Sequence, residues 1–205
     1  MNVVAEADST GNVGKRDAIL EAANKVFLEV GFGAASMDSI ASAAQVSKQT
    51  VYNYFGSKEE LFAAMVRASC DEMTLAFAQA IKDSDPEKAL RAMARLFVDV
   101  VFTPEKLAMH RTMLAEIPRF PDLGRVYYHS GPAIIRKFLA DYFTEQNRRG
   151  ALKVDDPQIA AEQFISMVTC NRLRVDVGVE PIPSDGVKQR YIDNAVNLIM
   201  RACRV

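Results

Sequence analysis

Between Ser36 and Lys58, in SMDSIASAAQVSKQTVYNYFGSK, two short segments of helical periodicity are joined by four residues, which folds the chain into two helices set at an angle. Ser36 can accept a backbone N–H as an N-cap, and Met37, Ile40, Ala41 and Ala44 then recur at three-and-four spacing as one apolar edge. The pattern breaks at Ala44-Gln45-Val46-Ser47. Val46 supplies an apolar plug between the helices, and Ser47 offers a second N-cap just before Lys48. In the helix that follows, Val51 and Phe55 are four apart and face inward, which leaves Lys48, Gln49, Thr50, Tyr52 and Asn53 pointing elsewhere.

One lysine among hydroxyls, amides and an aromatic ring is a mix that suits a DNA major groove. Amides and hydroxyls read base edges, and Lys or Tyr reach phosphates. The N-terminal residues of such a helix do the reading. An outward polar face is also the default of any helical protein, so residue types and spacing leave both readings open.

A chain of 205 residues suffices for one large or two small domains, and a hydrophobic share of 49% can fill a substantial core. Glycine is scarce, at 10, and no run alternates apolar and polar residues between hairpin turn signals. The expected class is therefore all-α, with about nine helices. No apolar stretch approaches the roughly 18 residues needed to cross a membrane. Arg91, Arg95 and Asp99 interrupt the best candidate, and the N-terminus lacks a signal pattern, so a cytoplasmic protein is expected. Cys70, Cys170 and Cys203 are far apart and odd in number, which fits a reducing compartment and thiols packed as small apolar groups, with a thiol redox switch as the lesser alternative. His110 and His129 are isolated, so no metal-ligand spacing emerges. With no glycine-rich cofactor loop and no nucleophile beside a base, neither an enzyme nor a cofactor is expected.

Met1 to Gly14 is polar, lacks a sustained period and reads as a mobile arm. From Lys15, residues Ile19, Ala22, Ala23, Val26, Phe27 and Val30 make an amphipathic helix stopped by Gly31 and Gly33. Ser57 and Glu60 form a Ser-x-x-Glu capping pair that opens a long helix toward Ile81, a natural lever between two domains. The expected order is an arm over 1–14, a helix-turn-helix domain over 15–60, and a larger helical domain over 61–205. Within the last, a helix follows Pro86, Thr103-Pro104 ends it, and Pro118 and Pro121 forbid continuity further on. The helix from Asp122 to Gly150 should kink at Gly131-Pro132, and two more should run over about 157–177 and 186–203. Arg172 and Arg174, late in the first of these, either meet its dipole or contact a ligand, and the dipole is the expected role.

The run from Lys15 through Leu61 resembles the DNA-binding domain of the TetR family of bacterial transcriptional repressors, over nearly fifty consecutive positions. The matching residues are Gly31-Phe32, Ser36-Met37-Asp38-Ser39-Ile40-Ala41, Val46 through Phe55, and Ser57-Lys58-Glu59-Glu60-Leu61. The resemblance implies that Thr50, Tyr52, Tyr54 and Lys58 approach the phosphate backbone of a double-stranded DNA operator, with Lys48, Gln49 and Asn53 reading bases. Two departures matter. Gln45 stands where the family usually has Gly, so the turn either avoids positive φ or accepts a strain of about 1 kcal/mol. Gln49 replaces a residue that is often small, so the base preference of relatives does not transfer. The block Glu116 through Gly124, with Gly131-Pro132 and Arg149-Gly150, is similar to the regulatory domains of the AefR-like branch of the family.

Charge tempers the reading. The net charge is −1, and within residues 1–60 Lys15, Arg16, Lys25, Lys48 and Lys58 face Glu6, Asp8, Asp17, Glu21, Glu29, Asp38, Glu59 and Glu60. Affinity should then rest on shape and amide contacts more than on a broad electrostatic grip. In the last helix, Val187, Tyr191, Ala195, Leu198 and Ala202 form one seam and Ile192, Val196, Ile199 and Cys203 a second, so it should have two neighbours. The expected partner is a second copy, a homodimer whose interface holds Phe164, Val168, Tyr191, Ala195, Leu198, Ile199 and Ala202. A small-molecule effector, largely apolar, is expected among Met93, Phe97, Met113, Phe164 and Val168, oriented by His110, Tyr128 and Asn171. The alternative is a helical DNA-binding adaptor or nucleoid-associated protein with no effector, in which these side chains are ordinary core.

Overall fold

A computed structural model describes residues 4–81 and 85–204. These form eleven helical segments, and among the described residues the only β feature is an isolated bridge between Leu152 and Arg204. The chain divides into two compact units, Met1–Ser69 with Arg111–Ser130, and Cys70–His110 with Gly131–Val205. The division differs from an expected boundary at 60/61, because a segment from the middle of the chain packs with the N-terminal helices.

The first unit contains α1 (Val4–Ala34), α2 (Met37–Ala43), α3 (Lys48–Phe55), the first half of α4 (Lys58–Ala80), the end of α6 (Pro104–Glu116) and α7 (Pro121–Ser130). Helix α1 begins at Val4, so residues 4–14, expected as a mobile arm, are helical; residues 1–3 of that arm lie outside the described residues. The good helix formers Ala5, Glu6 and Ala7 extend the helix before its amphipathic period starts. Gly31 interrupts α1 at φ 77° and ψ 168°, the stop expected there. The core is aromatic: Phe27, Phe32 and Phe62 pack pairwise with ring centroids 5.5 to 5.6 Å apart, and Phe120 meets Phe32 edge-on at 5.5 Å. Rings at such offsets add about 0.5–1.5 kcal/mol per pair beyond the area they bury. Ile19, Ile40, Val51 and Leu61 are fully buried around them.

The second unit contains the second half of α4, α5 (Pro86–Val101), the start of α6, α8 (Pro132–Arg148), α9 (Pro157–Val168), α10 (Arg172–Asp176) and α11 (Asp185–Cys203). Proline opens α5, α8 and α9, where its missing N–H costs nothing. Helix α8 packs on α9, and α11 lies against both α5 and α9. Leu90, Met93, Phe143, Phe164 and Val196 fill the middle. The charges that interrupt the apolar run of α5 set its register on α11: Arg91 binds Asp193 and Asn197, Arg95 pairs with Asp185, and Lys188 reaches Asp99.

Two helix boundaries differ from expectation. Gly131, at φ −136° and ψ −88°, leaves helical geometry altogether, so the expected kinked helix is two helices, α7 and α8. Helix α9 stops at Val168, well short of 177, and Arg172 and Arg174 sit on the separate α10. Arg172 does meet carbonyls at a helix C-terminus, but not those of its own helix. Its Nη1 donates to Val101 O at the end of α5, 2.9 Å away. Together with the separate α7 and α10, these breaks raise the count above nine.

Candidate nucleic-acid interface

Helices α2 and α3 are held at their angle by caps and a strained turn. Ser36 Oγ accepts the Ser39 N–H, and Ser39 Oγ accepts the Ser36 N–H, a closed capping box. Ser47 Oγ accepts the Thr50 N–H at 3.1 Å and contacts the Thr50 hydroxyl at 2.8 Å, starting α3 at Lys48. Between them Gln45 takes φ 55°, the only non-glycine with positive φ among the described residues. Of the two options open in the sequence, the turn accepts strain. Val46 N–H donates to Ala41 O at 3.0 Å, which closes the turn on α2. Val51 and Phe55 are buried, as their spacing requires.

The opposite face of α3 is exposed and polar. Lys48 Nζ lies 2.8 Å from Asp38 Oδ1 and 5.9 Å from the centre of the Tyr52 ring. One turn on, Gln49 Nε2 donates to Asn53 Oδ1 at 2.8 Å. Lys48, Gln49, Asn53 and Tyr52 thus share one surface, Thr50 is half-buried at its edge, and Tyr54 is half-buried with its ring 6.0 Å from that of Phe55. The arrangement offers amides, hydroxyls and one ammonium on a helix N-terminus, a set able to meet base edges and phosphates.

Lys58 does not join that surface as a free cation. Its Nζ donates to the carbonyls of Phe32 at 2.7 Å, Ala35 at 2.9 Å and Gly33 at 3.4 Å, and sits 4.5 Å from the Phe32 ring centre. The ammonium satisfies carbonyls released where Gly31 ends the helix. Nothing in the local sequence announces this contact, because its partners are more than twenty residues away. Gly33 is held from the other side: its N–H donates to Glu116 Oε2 at 2.6 Å.

The residues expected to line an effector pocket divide between the units. Met113 and Tyr128 belong to the first; Met93, Phe97, His110, Phe164, Val168 and Asn171 belong to the second. In the second unit Met93, Phe164 and Val168 are core residues about 1% exposed, with Phe97 packed against them. His110 Nδ1 lies 2.9 Å from Asp176 Oδ2, and Arg172 Nε donates to the same oxygen at 3.0 Å. Burial, and next the Arg172 charge, hold His110 below the ordinary histidine value against the pull of Asp176. Asn171 is 2% exposed, and its Oδ1 has no hydrogen-bond partner among the described residues.

The expected interface residues also separate. Phe164, Val168, Ala195 and Ile199 are covered within the chain itself, so they form core rather than open surface. Leu198, 52% exposed, and the exposed Ala202 remain outward; Tyr191 is half-buried, and Val187 and, on α9, Ile159 are exposed. The two seams of α11 therefore differ: Ile192, Val196 and Ile199 pack inward, and most of the other seam stays open.

Residues 19–65 match the family model for bacterial regulatory proteins of the tetR family, and residues 88–204 match that for the AefR-like transcriptional repressor C-terminal domain. The HTH-type transcriptional regulator BetI of Rhizobium meliloti is 31% identical over 92% of this chain and 90% of its own. The HTH-type transcriptional activator FasR of Mycolicibacterium smegmatis is 38% identical, but that match spans 42% of this chain and only 40% of FasR. Among solved structures, the flavonoid-responsive regulator FrrA is 36% identical with a TM-score of 0.75, covering 93% of this chain and 97% of its own. A TetR-family protein of Mesorhizobium loti gives a TM-score of 0.80 at 27% identity, covering 95% and 98%.

Proposed function

Because the chain belongs to the TetR family of bacterial transcriptional regulators, we propose that it is a repressor that binds a palindromic operator as a homodimer and answers to a small, largely apolar effector. The observation that carries operator binding is the exposed face of α3, where Lys48, Gln49, Tyr52 and Asn53 lie together on a capped helix N-terminus. The direction of control rests on the AefR-like repressor domain over 88–204. Dimerisation rests on the open seam of α11, since an exposed apolar row ending in Leu198 and Ala202 suits a copy of itself across a two-fold axis. Two-fold symmetry would repeat α3 on two half-sites. The effector reading is supported by the likeness to FrrA, which responds to flavonoids, and by the buried Asn171 and half-buried His110 within an apolar core.

Selection of bound duplexes from a random pool tests the first half: enriched sequences should be inverted repeats, and a pool that stays random would refute operator binding. A thermal-shift screen that includes flavonoids tests the second. At a hundredfold excess over its dissociation constant, an effector should add roughly 2.7 kcal/mol of stability. The competing reading, a head without a sensor, is favoured by the nearly complete burial of Met93, Phe164 and Val168 in a packed core. A screen without a single stabilising compound would decide for it.

A further inference from the structure

We propose that Gln49 and Asn53 act as one composite reader of an adenine edge in the major groove, while Asp38 withholds Lys48 from guanine. The proposal rests on the operator-binding reading and specifies what α3 selects.

The two amides stand one turn apart on the exposed face and are already joined, Gln49 Nε2 donating to Asn53 Oδ1 at 2.8 Å. Once that bond is made, Gln49 Oε1 remains as a free acceptor beside the Asn53 Nδ2 donor, and Gln49 Nε2 keeps its second N–H. Exchanging the orientation of both amides reverses the polarity but again leaves one acceptor and one donor. In the major groove, adenine offers a donor at N6 beside an acceptor at N7, the complement of that pair. Guanine offers two acceptors, O6 and N7, and no donor, so Gln49 Oε1 would be left without a partner against it. Cytosine shows a donor and thymine an acceptor, and each meets half of the pair. Joined amides also lose less rotamer freedom on binding than two independent side chains.

Lys48 is the one α3 side chain on this face suited to the two acceptors of guanine. Its Nζ lies 2.8 Å and 3.1 Å from the two carboxylate oxygens of Asp38, in the first turn of α2. Both partners are more than half exposed, so the ion pair contributes little to folding. Its effect falls on recognition: it sets a negative charge beside the only ammonium on this face and offsets its pull on DNA.

Selection from random duplexes should be run with the wild type, Gln49→Ala, Asn53→Ala, the double variant and Asp38→Asn. One base pair in each half-site should lose its preference in both single variants, and in the wild type that pair should be A·T. Changing it to G·C should weaken wild-type binding about 5- to 150-fold, the equivalent of roughly 1–3 kcal/mol. The double variant should do no worse than either single. Placing 7-deazaadenine at that position, which removes only the N7 acceptor, should cost the wild type part of the same factor. Asp38→Asn should raise affinity for unrelated DNA and admit guanine at the site. All these side chains are exposed, so thermal unfolding should be unchanged. Loss of preference at two different base pairs, a shared pair that is G·C, or unaltered guanine rejection in Asp38→Asn would overturn the proposal while operator binding stands. A wild-type pool without enrichment would remove operator binding itself, and the reader with it.

Discussion

Lys58 Nζ, in the first residue of α4, lies 2.7 Å from the Phe32 carbonyl oxygen near the end of α1. With Ala35 O and Gly33 O also in reach, the side chain ties the start of α4 to the loop that leads into α2. Lys58→Ala should destabilise the protein by about 1–3 kcal/mol, the cost of leaving partly buried carbonyls without a charged donor. Urea unfolding measures this. A phosphate-contacting role would show instead as unchanged stability, with a salt dependence of DNA binding reduced by about one ion.

Gly33 lies close against Glu116 and Phe120, so an added side chain would have to displace them. A Cβ built there falls 2.9 Å from Glu116 Oε2 and 3.0 Å from Phe120 Cε2, and the Gly33 N–H already donates to that carboxylate. Gly33→Ala should cost about 1–3 kcal/mol through overpacking. The loss should shrink in a Glu116→Ala background, because the two changes remove the same contact. Strict additivity in the double-mutant cycle would mean that the clash is relieved elsewhere.

The dimer is best tested where the surface is open. Leu198→Glu combined with Ile159→Glu changes two side chains about half exposed in the single chain, so the fold should persist and sedimentation should report monomer. Ile199 is unsuitable for this purpose, being 7% exposed within the chain's own core. An unaltered dimer in the Leu198 and Ile159 variant would place the interface on another face.

His110 gives the second unit a pH dependence of definite sign. Arg172 and Asp176 face it, and burial with the Arg172 charge lowers its proton affinity in the folded state. Below the ordinary histidine value the unfolded chain then binds more protons than the folded one. The stability His110 contributes is present above that value and is lost as pH falls from it through the lowered folded value. Urea midpoints should therefore fall as pH drops below about 6.5, and His110→Gln should flatten that fall. A slope unchanged in the variant would assign the dependence to other groups.

Much of the first unit was legible in the sequence because its signals are local. Ser36 and Ser47 cap helices whose N–H groups are three residues away, Gly31 stops a helix by its own φ, and Val51 and Phe55 face inward by spacing alone. The all-α class and the two apolar seams of α11 follow from periodicity in the same way. What sequence could not supply is who meets whom at a distance. Lys58 has the residue type of a phosphate contact, yet three carbonyls more than twenty residues away hold it. Phe164 and Val168 have the apolar character of a pocket or an interface, yet neighbouring helices of their own chain bury them. Arg172 caps α5, a helix 71 residues away, rather than the one before it. Spacing determines which face a side chain takes on its own helix, whereas only the packing of helices decides whether that face meets solvent, a partner group or the core.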